Sequence, residues 1–228
     1  MKKYYYNFLL LLKNVNNYGV LEILKIIYYE IFYIIKFKDF SSLSYDDKES
    51  STYEQVKKKD TYNTPYIPTP FYFLRILCLF LKKEKINNFL ILDLGCGYSR
   101  VQYFFYTYFK TIFFGVDINK QIIQLLKKKK IDNTFFLNLN LRKEKNIELL
   151  VSKTKKIKNK KRLIVFFSDS FDPKLLKKVL LKLSNKLEFY CILINVKNTK
   201  YLSTKYKTLF DKQFKNPHRN IKIFNIKP

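Results

Sequence analysis

At 228 residues and 47 % hydrophobic, the chain has room for one domain with an extension, or two small ones, around a packed core. Its net charge of +27 comes almost entirely from Lys spread along the whole length, with Arg scarce, so it reads as a solubilising charge rather than a dedicated nucleic-acid surface; a general attraction to RNA or anionic lipid follows all the same. Aromatics reach 18 % while Ala and Trp are absent, and the gaps are filled by Lys, Asn, Ile, Tyr, Phe and Leu, residues of A/T-rich codons that point to an AT-biased genome.

Residues 1–40 read as helical. Met1-Lys2-Lys3 followed by Phe8 to Leu12 imitates a secretory signal, but Lys13 and Asn14 cut the apolar run short and no small-residue cleavage site follows. No stretch reaches the length needed to span a bilayer. From Val20 to Ile35 the apolar residues run almost continuously, with Glu22, Lys25, Glu30 and Lys36 on one arc. This amphipathic helix is expected to pack on the main domain; a membrane-surface or partner helix is the alternative. Residues 41–64 are polar and aperiodic, a loop or lid. They end in Tyr62-Asn63-Thr64-Pro65-Tyr66-Ile67-Pro68-Thr69-Pro70, whose prolines hold the backbone extended. The chain thus divides into an extension with a lid over 1–64 and a main domain over 65–228.

Phe71 to Leu81 is an apolar helix containing Arg75. Strands and helices then alternate: strands at Phe89–Leu92, Thr111–Ile118, Thr134–Leu137, Leu163–Phe167 and Tyr190–Val196, and helices at Ser99–Lys110, from Asn119 to Lys130, near Ile147–Lys156 and from Pro173 to about Asn185. Asn119 is placed to cap one helix; Asp172 caps another, which Pro173 opens. Ile221–Phe224 is a late strand. Repeated strand–helix units with apolar strands predict an α/β, Rossmann-like, doubly wound and mostly parallel sheet, with helices on both faces and an N-terminal helical extension.

Between the first strand of this series and its helix lies Asp93-Leu94-Gly95-Cys96-Gly97-Tyr98-Ser99-Arg100. Gly95 and Gly97 permit a tight turn and close approach of a ligand, and the following helix offers free N–H groups. The chain has only four glycines, and Gly95, Gly97 and Gly115 are three of them. Asp117 ends the next strand, where an acid can hold both hydroxyls of a ribose. Asp93, at the strand end, is poorly placed beside a pyrophosphate and suits a cationic amino-acid moiety instead.

Asp-Leu-Gly-Cys-Gly followed by Gly-Val-Asp-Ile resembles the first two motifs of class I S-adenosylmethionine-dependent methyltransferases. The Tyr66-Ile67-Pro68-Thr69 segment is similar to one in a subset of that family, which includes small bacterial proteins of unknown acceptor and some protein-lysine methyltransferases. The resemblance covers roughly residues 62–200. It implies S-adenosylmethionine as cofactor, held by Asp93, Gly95, Cys96, Gly97, Asp117, Ile118 and Asn138, with Tyr66 and Thr69 lining the site from the lid side. It also implies a methyl acceptor of protein lysine, small-molecule or RNA class. Three departures stand out. Ser99 occupies the third small position of the loop, Asn138 and Asn140 replace the acid often found after the third strand, and the fourth strand is followed by Ser168-Asp169-Ser170-Phe171-Asp172-Pro173.

For the chemistry, Asp169 is the candidate for orienting the acceptor or taking its proton, and Phe171 for stacking, because both follow the fourth strand at the ligand edge of the sheet. Cys96 is expected to pack rather than attack, and His218, the only histidine, to lie at the surface. Cys78, Cys96 and Cys191 are odd in number and widely spaced, so neither a disulfide framework nor a zinc site is expected, and a reducing cytoplasm fits best, with peripheral contact at the inner membrane surface left open. A non-catalytic S-adenosylmethionine-binding or RNA-associated protein with a degenerate fold is the alternative reading.

Overall fold

The structure is a computed structural model; it describes residues 14–37, 69–129, 131–158, 161–168, 172–196 and 199–228. In chain order the elements are α1 (Val20–Phe37), α2 (Phe71–Lys83), β1 (Phe89–Leu94), α3 (Arg100–Phe109), β2 (Ile112–Asp117), α4 (Lys120–Lys128) and β3 (Thr134–Asn138). They continue with α5 (Glu144–Lys158), β4 (Arg162–Phe167), α6 (Pro173–Ser184), β5 (Phe189–Ile194), α7 (Lys200–Lys205), β6 (Lys207–Gln213) and β7 (Asn220–Ile226).

The strands form one sheet in the order β3-β2-β1-β4-β5-β7-β6. β1 to β5 pair in parallel, whereas β7 runs antiparallel to both β5 and β6. The expected doubly wound α/β architecture is therefore present, with its order reversing between β1 and β4. β6 was not anticipated. Its sequence, KTLFDKQ, has two adjacent apolar residues and no alternation, and it lies half-exposed at the sheet edge with a bulge between Thr208 and Phe210. Lys at an edge strand also discourages pairing with another chain.

Side chains alternate across the strands and feed two cores. Ile91, Phe113, Ile164, Phe166 and Ile192 face α2, α3 and α4, while Leu92, Phe114, Val165, Phe167 and Leu193 face α5 and α6. The caps read from the sequence are in place: Asn119 Oδ1 accepts from the Gln121 and Ile122 N–H groups, and Asp172 accepts from Lys174 and Leu175. Gly115 is needed for packing. A Cβ there would lie 2.8 Å from Phe136 Cδ1 and 2.9 Å from Cys96 Sγ.

α1 packs on the main domain, as expected, but with the acids of its polar arc turned inward while Lys25 and Lys36 stay exposed. Tyr33 is fully buried, with ring centroids 5.0 Å from Phe71 and 5.1 Å from Phe104, and its hydroxyl lies 2.6 Å from that of Tyr108. Glu22 meets Lys212 and Lys25. Burial pushes its carboxyl up, but hydrogen bonds with Tyr72 and Lys25 and the Lys212 charge outweigh that and hold it below its ordinary value. Glu30 accepts from the Phe71 N–H at 2.8 Å, satisfying a free donor in the first turn of α2, and from Arg100 Nη1 at 2.8 Å. Arg100 is 5 % exposed and lies over the Phe71 ring, 4.5 Å from its centroid.

Replacing Glu30 by Ala leaves that guanidinium buried without its anion. We expect Glu30→Ala to lower stability by about 2–4 kcal/mol in urea denaturation. A loss under about 1 kcal/mol would show that α1 is not anchored through this pair.

Candidate functional site

The parallel register brings the acids to one end of the sheet. Asp93 pairs across β1–β2 with Gly115 and across β1–β4 with Phe166, so its side chain emerges at the carboxyl edge next to the topological reversal. Beyond it the backbone bends sharply. Gly95 has φ 83°, Gly97 φ 47° and Ser99 φ 69°, three left-handed residues in alternation. The Gly95 and Cys96 N–H groups both donate to the Val116 carbonyl, at 2.8 and 3.0 Å. Asp117 clamps the bend from β2: its Oδ2 accepts from the Gly97 N–H at 2.9 Å and its Oδ1 from the Asn119 N–H at 2.8 Å.

Ser99 tolerates its left-handed conformation with a side chain in place. Its hydroxyl donates to Gln102 Oε1 at 2.7 Å and does not cap α3. The first turn of α3 thus keeps N–H groups beside the bend, which favours negative charge there.

Next to the bend is a recess lined by Thr69, Asp93, Gly95, Cys96, Arg100, Val101, Phe166 and Ser168. It encloses about 240 Å3, counting the part open to solvent. Asp93 is 3 % exposed, and its Oδ2 has no hydrogen-bond partner among the described residues. Burial, with the Asp117 charge as a lesser cause, pushes its carboxyl well above the usual range. Asp117 is also raised by burial, but the N–H groups of Asn119, Gly97 and Ile118 pull it back. Burial and the two nearby acids drive the Cys96 thiol far up, so it is a packing residue rather than a nucleophile.

The expected site residues separate into three groups. Asp93, Gly95, Cys96 and Thr69 meet at the recess, and Gly97 and Asp117 are joined in the bend beside it. Ile118 is 43 % exposed at the end of β2. Asn138 is exposed, and its amide nitrogen donates to the Asp117 and Ile118 carbonyls at 3.0 and 2.7 Å. Those acceptors leave only Oδ1 for a ligand. Tyr66, Asp169 and Phe171 lie outside the described residues. His218 is exposed in the β6–β7 turn, and among the described residues no cluster of His, Cys, Asp and Glu could hold a metal.

Arg100 is the site residue that sequence reasoning missed. Its position directly after Ser99 was a signal, but its partners, Glu30 and the Thr69 carbonyl (3.4 Å), are far away in sequence. Its Nε is buried without a partner among the described residues.

No family model matches the chain, and no curated protein matches it by sequence. The fold does have solved counterparts. One is an RNA methyltransferase from Salinibacter ruber in complex with S-adenosyl-L-homocysteine, with a TM-score of 0.50 and 12 % identity, over 71 % of this chain and 94 % of that one. Another is yhhF of Escherichia coli, described as a candidate methyltransferase, with a TM-score of 0.51 and 16 % identity, over 71 % and 88 %. At such identities the likeness is one of fold.

The orphaned carboxyl predicts a pH signature. A carboxyl raised in the folded state stabilises fully below its unfolded value, near 3.8, and that stability is lost as pH rises through the folded value. We expect Asp93→Asn, measured without ligand, to be more stable than wild type at neutral pH by about 1–3 kcal/mol, with the gap closing towards pH 4. A gap that does not change with pH would mean the carboxyl is not held away from ionisation.

Proposed function

We propose that the chain is an S-adenosylmethionine-dependent methyltransferase acting on protein lysine, a small molecule or RNA. The observation that carries this reading is the buried Asp93 Oδ2, without a partner among the described residues, beside a left-handed glycine bend. A buried carboxyl with an open acceptor is matched by a cationic ligand group, and the residues around it fit the remainder of that cofactor. The cofactor would supply a methyl group already activated by its sulfonium.

Asp93 would take the amino-acid ammonium group, and the bare backbone at Gly95 and Gly97, with Cys96 between them, would admit the ligand closely. A carboxylate has about four acceptor positions, and Asp117, which braces the bend with backbone N–H groups, would offer what remains to a ribose hydroxyl. Ile118 offers an apolar edge for the adenine, and Asn138 Oδ1 an acceptor for its amino group. Tyr66 and Thr69 would close the site from the lid side. Asp169 would orient or deprotonate the acceptor, with Phe171 stacking beside it. These two assignments rest on sequence order after β4.

The fold counterpart crystallised with S-adenosyl-L-homocysteine supports the cofactor, and because that protein is an RNA methyltransferase, RNA is one acceptor to test. The three cysteines are free and buried, which accords with a reducing cytoplasm.

Calorimetric titration with S-adenosyl-L-homocysteine tests the reading. We expect saturable binding to the wild type and a loss of about 10–100-fold in Asp117→Ala, the cost of hydrogen bonds to a charged group. No binding to the wild type sinks the cofactor assignment. Binding without transfer of a labelled methyl group to any RNA, protein or small-molecule fraction of a lysate favours the non-catalytic alternative.

A further inference from the structure

The acids of α1 face the domain, and what that leaves outside is unusual. Leu21, Leu24, Ile27, Tyr28, Ile31, Phe32 and Ile35 are between 43 and 73 % exposed, and Val20 extends the same face. At 100° per residue these eight positions occupy an unbroken arc of roughly 140°. No polar residue interrupts it. Lys25 and Lys36, both exposed, follow at one border, and Glu22 and Glu30 are drawn away to Lys212 and Arg100.

We propose that this face of α1 lies in the surface of an anionic phospholipid bilayer, parallel to the membrane plane. Three observations choose this occupant. The helix is about 27 Å long and its exposed arc runs its whole length, the shape of an interfacial helix. Among the described residues no helix is long and apolar enough to cross a membrane, so the contact is peripheral. The net charge of +27 attracts an anionic surface and repels a second copy of the same chain. RNA would answer to the charge but has no use for a mainly aliphatic arc.

The test is co-flotation of the full chain with vesicles of phosphatidylcholine alone, or with about one third phosphatidylglycerol. The wild type should float with the anionic vesicles and hardly with the neutral ones. Leu24→Glu with Ile31→Glu should weaken partitioning at least about tenfold, with the thermal melt unchanged because both side chains already face solvent. Leu24→Ser with Ile31→Ser serves if the charged pair disturbs folding, with the same expectation.

Failure of the wild type to float overturns the proposal. So does a double variant that floats as well as wild type, which would leave only charge of the kind RNA also answers. A dimer in sedimentation that the double variant dissolves, with no vesicle binding, would assign the face to a second copy instead. None of these outcomes depends on the cofactor reading.

Discussion

The arrangement depends on one electrostatic constraint, a carboxyl group closed into the edge of a parallel sheet with an oxygen that has no partner among the described residues. Asp93 cannot retreat, because β1 lies between β2 and β4 and its register with Gly115 and Phe166 fixes where the side chain emerges. It cannot ionise cheaply, because Asp117 is close and water is largely excluded. The folded chain therefore holds this carboxyl away from ionisation. The bend is already settled by contrast, since both Asp117 oxygens accept backbone N–H groups. The two acids differ in what they hold: Asp117 braces the bend, and Asp93 Oδ2 has no partner among the described residues.

That division extends outward through Arg100. The residue shares the recess with Asp93, yet its guanidinium is turned to Glu30 and the Thr69 carbonyl. Glu30 in turn holds the first N–H of α2. One carboxylate on the N-terminal helix thus ties together three segments: the start of α2, the residue before Pro70, and the first turn of α3. α1 is part of the frame that positions the recess, and its outward face is free of that duty. This is why the helix can be well anchored and still present an apolar arc.

Much of the fold was legible because strands buried on both faces read as apolar runs, and turns around them carried Asp, Asn and Pro with clear local reasons. Asn119 and Asp172 cap as their neighbours suggest. Where burial is one-sided or partial, the signal fades. β6 at the sheet edge has no apolar rhythm to find, and the helical periodicity of α1 could not say which arc faces inward. Spacing sees an apolar face, whereas the packing of Tyr33 between Phe71 and Phe104 and the ion pairs of Glu22 and Glu30 decide the orientation. The glycine bend and its two acids were legible because they are local. The Glu30–Arg100 contact joins residues 70 positions apart and leaves no local pattern.

Composition supplies an independent argument for the bend. The chain avoids glycine even where the backbone turns left-handed: Lys85, Asn88, Lys110, Asn133 and Asn195 all have φ between 45 and 56°. Such conformations cost an ordinary residue roughly 1–2 kcal/mol, less for Asn, so this chain accepts that cost repeatedly. Ser99 does the same inside the bend, with its hydroxyl tied to Gln102. Gly95, at φ 83°, lies beyond the range these residues reach, as Gly19 does at 86°, so its conformation calls for glycine, whereas Gly97, at 47°, lies within that range. Gly115 has a packing reason, since Phe136 and Cys96 fill the space of a Cβ. Gly95 lines the recess beside Asp93 and the Gly97 N–H is spent on Asp117, so the bend presents bare backbone next to the recess, and glycine is the residue that keeps backbone open to close approach.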